Sequence, residues 1–330
     1  MKVNWVCALC AFLMAISYGP TNAGAQAAAD SVEAHVALAK QAAGNDYSRM
    51  FENLCAEPRA PAAQPAAPAA SPAPPPASEW HAEPAKVFDN LYYVGSKPVA
   101  AWAVTTSEGI ILIDALYEYS VEDEIVNGLR KLGLDPTKIK YVIVTHGHAD
   151  HYAGAPYLQS RLGARILMSA ADWEFMKSQR NPNWPQRDMV VTDGQKLTLG
   201  DTTLTLYLTP GHTPGTISLL VPLKDGGKEH LAAMWGGTAF NFPRTQENFR
   251  TYSNSAQRFS DIVEKARVDV VLTNHPDNSK VMEKIAALQT RPPGGSHPFV
   301  VGNESQKRLL QVAGECAKAN LSRLTTQAKQ

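Results

Sequence analysis

The stretch KYVIVTHGHADHYAG, residues 140–154, constrains this chain most. A β-branched apolar run reads as a buried strand. It runs straight into three histidines and one aspartate within six positions, His146, His148, Asp150 and His151. His146 and His148 are two apart, so in an extended segment they project from the same side. Asp150 and His151 follow where the chain turns toward a helix. Two ligand pairs therefore aim at two neighbouring points. Imidazole nitrogen with carboxylate oxygen suits zinc, and the carboxyl end of a strand holds such ligands rigidly.

Two further histidines have similar settings. LYLTPGHTPGTISLL places His212 in a Pro/Gly-rich turn between strands, and VDVVLTNHPDNS places His275 just past an apolar strand. All six candidates are expected to follow strands of one mixed sheet system. A lone histidine is usually a surface or satisfied core residue. This combination is not explained that way.

The rest of the chain divides by texture. Lys2 precedes an apolar run too short to span a bilayer, followed by Ala23-Gly24-Ala25, a small-residue cleavage site. Residues 1–25 read as a secretory signal peptide, which implies export, here expected to the periplasm. Residues 26–57 read as two helical pieces broken at Gly44-Asn45. Residues 58–79 form a Pro/Ala-rich linker. From Trp80 to the C-terminus, strands and helices alternate with frequent hairpins. That pattern predicts an α+β (mixed αβ) domain over 80–330, with two facing sheets and helices outside. SVEDEIVNGLRKLGL (120–134) reads as an amphipathic helix. NESQKRLLQVAGECAKANLSRL reads as a long terminal helix, with Asn303 and Gln306 as a capping box.

Formal net charge is zero and no basic run stands out, so nucleic acid and anionic membranes are not indicated as partners. The expected partner is a small-molecule substrate, with no transmembrane segment once the signal is removed. Of four cysteines, Cys7 and Cys10 leave with the signal. Cys55 and Cys316 then remain in an oxidising compartment, where a bridge between them is expected. Two free thiols stay open as the alternative, because sequence does not place the two Cα atoms.

The motif HGHADH resembles the HxHxDH signature of the metallo-β-lactamase superfamily. GHTPG and NHP stand in that superfamily's order for the later metal histidines. The resemblance covers about 250 residues from Trp80 onward. It implies a four-layer αββα sandwich with a metal site at one edge between the sheets. It implies that His146, His148 and His212 bind one zinc ion, and that Asp150, His151 and His275 bind a second. A hydroxide shared by the two metals would be the nucleophile, oriented by Asp150. Asp114, in ILIDA, matches a buried structural aspartate of the family, with a strand-end turn as the plainer reading.

One departure narrows the branch. MWGGTAFNF carries Gly237 where many members have the aspartate of GDT, which bridges both metals. A His/His/His plus Asp/His/His set without that carboxylate resembles subclass B3 of the metallo-β-lactamases. The implied function is an exported dizinc hydrolase that opens β-lactam rings. The alternative is a hydrolase of the same fold acting on a lactone, thioester or other acyl substrate. A zinc carrier would show a flexible His-rich tract instead. Thr238 is a candidate substrate contact, or supports a metal-bound water, or finishes a strand. Tyr152 narrows the mouth or packs as core. Trp184, Phe240 and Phe242 line a pocket or cap the core. His35, His81, His230 and His297 lie outside the pattern and read as structural or exposed.

Overall fold

The computed structural model describes Met1, residues 30–56 and residues 73–328. The expected signal peptide, and the linker up to residue 72, lie outside the described residues.

Two sheets form the centre. The first has seven strands in sequence order: β1 (Ala85–Phe88), β2 (Leu91–Tyr93), β3 (Trp102–Thr106), β4 (Gly109–Ile113), β5 (Ile139–Ile143), β6 (Arg165–Ser169) and β7 (Met189–Val191). The β1–β4 meander is antiparallel, and β4 to β7 are parallel. The second sheet contains β8 (Gln195–Leu199), β9 (Thr202–Leu208), β10 (Ile217–Asp225), β11 (Lys228–Trp235) and β12 (Val270–Thr273), in the order β12-β11-β10-β9-β8. Only β11–β12 pairs in parallel here. The histidine strands are shared between the two facing sheets. β5 lies in the first, β9 and β12 in the second. Strand pairing is non-local, so periodicity does not reveal which sheet a strand joins.

Alternation explains the layers. Ile111 and Ile113 of β4 pack between the sheets with Trp102, Leu204, Leu219 and Met234. Leu112, one residue out of phase, packs on the outer side with Leu129, Leu158 and Trp173. Both faces of the central strands are buried, so they read as continuous apolar runs. The outer side of the second sheet buries Ala233, Trp235 and Val271 under helices. The result is the expected αββα sandwich.

The helices are α1 (Val32–Ala43), α2 (Ser48–Cys55), α3 (Ala77–Trp80), α4 (Gly128–Lys131), α5 (Ala149–Tyr152), α6 (Ala155–Leu162), α7 (Ala170–Lys177), α8 (Gln246–Ala266), α9 (Val281–Gln289) and α10 (Asn303–Gln327). Among the described residues no helix is long and apolar enough to cross a membrane. Ser31 caps α1 by accepting from Ala34 N at 3.1 Å. Gly44, at φ 49°, ends it where the sequence breaks. Both N-terminal helices share a core with α8 and α10. A disulfide joins Cys55 to Cys316, at a Cα–Cα distance of 4.7 Å.

Four local readings are corrected. The segment after Ser120 opens with wide π-helical turns over Val121–Asn127. Glu124 is pulled inward there by hydrogen bonds from Ala82 N and with His81, so Val121, Glu124, Ile125 and Val126 are all buried. The capping box is absent. Gly302, at φ 82°, occupies the N-cap of α10. Asn303 instead donates to Val263 O and Val268 O, tying α10 to the end of α8. Residues 77–79 belong to α3 rather than to a linker, and Trp80 anchors back through Nε1 to Pro75 O. The edge strand β7 was not anticipated, because three residues after a Pro-rich loop carry too little periodicity.

Candidate metal centre

The site lies where strand ends of both sheets meet. β5 ends at Ile143 and delivers His146 and His148, and α5 presents Asp150 and His151. β9 leads to His212, and β12 to His275. Ile217 N donates to Thr145 O at 2.8 Å, joining the sheets beside the cluster. All six predicted side chains come together. His146 Nε2 lies 3.1 Å from His212 Nε2, and His148 Nδ1 lies 3.0 Å from the same atom. His146, Asp150 and His151 offer a second group of donor atoms within 4.8 Å of one another. His275 Nε2 reaches Asp150 Oδ2 at 3.8 Å.

The donor set fits metal ions. In three histidines the far nitrogen meets an atom that only accepts, so it carries the proton. His151 Nδ1 donates to Asp114 Oδ2 at 2.8 Å, His212 Nδ1 to Ala239 O at 2.6 Å, and His275 Nδ1 to Pro98 O at 2.9 Å. With Nδ1 engaged, Nε2 is in each the nitrogen that faces the cluster, the arrangement that orients metal-binding histidines. His151 Nε2 lies 3.2 Å from Asp150 Oδ2 without the alignment of a hydrogen bond, and is otherwise buried without a partner. An orphaned buried nitrogen is costly unless a ligand satisfies it.

The electrostatics agree. Burial, helped by neighbouring histidines, holds His146 well below the ordinary value. Burial takes His148 down to about 4 and His212 to about 3. These imidazoles are neutral at pH 7, as ligation requires. Burial pushes His151 down too, but the carboxylates of Asp150 and Asp114 outweigh it and raise it to about 10. Burial raises Asp150, yet the charges of His151, His275 and His148 outweigh it and leave it lowered. Two carboxylates thus demand positive charge at His151 Nε2.

Supporting residues fix the ligand loops. Asp114 accepts from Thr145 N at 2.8 Å, from Thr145 Oγ1 at 3.0 Å and from His151, so its role is structural as anticipated. Asp172 was missed. Its Oδ2 accepts from Gly147 N at 2.9 Å and from Thr213 Oγ1 at 2.6 Å, and its Oδ1 from Gly215 N at 2.7 Å. One buried carboxylate therefore clamps the loop of His146 and His148 to the loop of His212. Burial raises its pKa to about 6 against those hydrogen bonds. The visible signal was only SAAD, a helix start in which Ser169 Oγ accepts from Asp172 N at 3.1 Å.

Gly237 is a packing necessity. A Cβ there would lie 2.2 Å from His212 Cβ, so the position has no room for a bridging aspartate. Thr238 lines the cavity, and its Oγ1 accepts from Asn278 Nδ2 at 2.8 Å. Phe240 also lines it, whereas Phe242 packs on Phe249 with ring centroids 5.2 Å apart. Trp184 is exposed on its loop and does not line the cavity. Tyr152 is core, its hydroxyl donating to Asn181 O at 2.8 Å. The remaining histidines are structural: His35 pairs with Glu315, His81 with Glu124, His230 with Asp269, and His297 stacks on Phe88.

Residues 94–226 match the family model of the metallo-β-lactamase superfamily. Residues 94–226 thus carry a metallo-β-lactamase superfamily domain. Among solved structures it is similar to BJP-1, a subclass B3 metallo-β-lactamase of Bradyrhizobium japonicum, at 26% identity and a TM-score of 0.63, covering 75% of this chain and 95% of that one. The native FEZ-1 metallo-β-lactamase from Legionella gormanii gives 26% identity and a TM-score of 0.62, covering 75% and 97%. Among curated relatives, a hydroxyacylglutathione hydrolase of Acidiphilium cryptum is 37% identical over 83 residues, 25% of this chain and 31% of the relative. An N-acyl homoserine lactonase of a Bacillus species is 28% identical over 171 residues, 44% and 66% of the two lengths. The chain thus spans less than two thirds of these curated relatives, but nearly the whole of the superfamily structures above.

Proposed function

We propose that this protein is a dizinc hydrolase that opens β-lactam rings and acts after export. The observation that carries the reading is Gly237 against His212. The site offers two adjoining ligand groups and leaves no room for a carboxylate between them. In the family pattern, that combination is the one of subclass B3, and the similarity to solved subclass B3 enzymes supports it.

The residues fit the reaction. His146, His148 and His212 would hold one zinc ion; Asp150, His151 and His275 would hold the other. Zinc bound there supplies Lewis acidity and lowers the pKa of water to about 7. Asp150 reaches both His151 and His275 through Oδ2, and its carboxylate would orient the attacking water. Asp114 and Asp172 hold the ligands still, so little reorganisation is needed during reaction. Thr238, steadied by Asn278, presents a hydroxyl to substrate in the same cavity.

The test is hydrolysis of a carbapenem and a chromogenic cephalosporin by the purified protein. It is run with zinc, after chelation, and after zinc is restored. Turnover that disappears and returns with the metal supports the reading. Two bound zinc ions without β-lactam turnover would sink the substrate assignment, leaving lactones and thioesters to be tried. Absence of bound zinc would sink the catalytic assignment itself.

A further inference from the structure

The N-terminal helical segment lies outside the strand-and-helix domain, and the sequence leaves it without a role. The structure places its second helix against the histidine cavity. That cavity measures about 700 Å³, with His146, His148, His212 and His275 in its lining. Arg49, Glu52, Asn53 and Ala56 line it too. Arg49, Glu52 and Asn53 are spaced i, i+3 and i+4, one stripe of the helix, and Ala56 follows its end. The opposite side, Tyr47 and Met50, is buried in the core shared with α8 and α10, and Leu54 belongs both to that core and to the cavity lining. α2 is therefore an amphipathic helix whose polar face looks into the reaction cavity.

The helix is firmly held. Cys55 is bonded to Cys316 of α10. The end of α2 is capped from α10: Asn320 Nδ2 donates to Leu54 O at 3.2 Å, and Arg323 Nη2 to Cys55 O at 3.1 Å. At its start, Tyr47 Oη and Ser305 Oγ are 2.6 Å apart. A surface fixed from both ends suits selection, because it orders few groups on binding.

The charges on that face differ in how they are occupied. Arg244, also in the cavity lining, is engaged by Asn320 Oδ1 and lies over the Phe249 ring. Arg49 is exposed and has no hydrogen bond or ion pair among the described residues. Glu52, one turn on, forms no ion pair with it within 4.0 Å. The other acid exposed in the lining, Asp277, also leaves Arg49 unpaired. A guanidinium with open donors matches a carboxylate in bidentate geometry.

We propose that α2 is a substrate-selecting wall in which Arg49 binds a carboxylate carried by the substrate away from the reacting carbonyl, and that the Cys55–Cys316 bridge holds this wall in place. The proposal rests on the dizinc acyl-hydrolase reading for what is bound beneath the wall. It adds the chemical class of substrate and a specificity residue from outside the matched family segment.

The test uses probes anchored by the metal rather than turnover. ω-Mercaptocarboxylates and ω-mercaptoalcohols of matched length are titrated calorimetrically into the zinc-loaded protein, over a series of lengths. In Arg49→Ala the preference for acid over alcohol is expected to fall by about fivefold at the best length, the size of a partly exposed ion pair. Arg49→Lys should retain part of it. The double variant Cys55→Ala/Cys316→Ala should lose it with zinc content unchanged. If that variant does not fold, the exposed Arg49→Ala still decides. For carboxylate-bearing substrates the counterpart is a raised KM at constant kcat. An acid-to-alcohol ratio unchanged in Arg49→Ala overturns the wall and leaves the dizinc reading intact. If neither probe binds the wild type, the metal reading fails and the wall fails with it.

Discussion

Asp114 Oδ2 accepts the Nδ1 proton of His151 at 2.8 Å, and both side chains are fully buried. The aspartate stands just past β4 and the histidine in α5, 37 positions apart in sequence. This contact decides which nitrogen of His151 faces the cluster. It also sets the first prediction.

In Asp114→Asn, the amide oxygen can still accept from Thr145 N. The NH2 then faces His151 Nδ1–H, donor against donor. His151 must move its proton to Nε2 to avoid the clash, and that blocks the lone pair needed for metal. Affinity for one of two zinc ions is expected to fall about 10–100-fold. Competition against a chromophoric chelator would show it. An unchanged two-site titration would refute the tautomer argument.

Asp172→Asn should act on the three-histidine group. With its oxygen toward Gly215 N, its NH2 meets Gly147 N–H. A buried donor left unsatisfied costs about 1–3 kcal/mol, readable in urea unfolding of the metal-free protein. The His146–His148 loop should also exchange its amide hydrogens faster. The raised pKa has its own sign: the Asp172 contribution is full below the usual carboxylate range and is lost as pH rises through about 6. The amide variant should lack that dependence.

The metal-free protein should be most stable near pH 6.5–7, from opposing groups. His148 and His212, at about 4 and 3, resist protons that the unfolded chain accepts at about 6.5. Stability therefore falls as pH drops below that value. Asp150, lowered by His151 and its neighbours, adds to the acid loss. Asp172 opposes it, but it is one group against several. His151, at about 10, contributes stability that is full below 6.5 and lost as pH rises through 10. Zinc should abolish this alkaline limb, because a ligated histidine cannot take the proton. Denaturant midpoints across pH, with and without chelator, would check both limbs.

Gly237→Ala should cost about 1–3 kcal/mol by overpacking against His212, and Gly237→Asp more. Neither is expected to create a bridging ligand. Thermal unfolding with zinc analysis would decide. A stable Gly237→Asp protein with tighter zinc binding would contradict the packing argument.

Much of this molecule was legible along the chain. The ligands announced themselves because each sits at the end of an apolar strand, and local periodicity is a property of neighbouring residues. The mixed sheets, the break at Gly44 and the structural role of Asp114 follow from the same kind of signal or from family resemblance. Asp172 was not legible, because its meaning lies in two loops at residues 147 and 213–215 that only folding brings to it. Gly237 could be read as a missing ligand, but the reason for it, His212 Cβ, is a contact across the sheet edge. Arg49 and the Cys55–Cys316 bridge depend on how α2 lies along α10. The chain by itself determined which donor atoms are present and on which strand ends they stand. Tertiary structure decided which nitrogen of each histidine is free, which carboxylates hold the loops, and what covers the cavity, because these depend on distances between segments far apart in sequence.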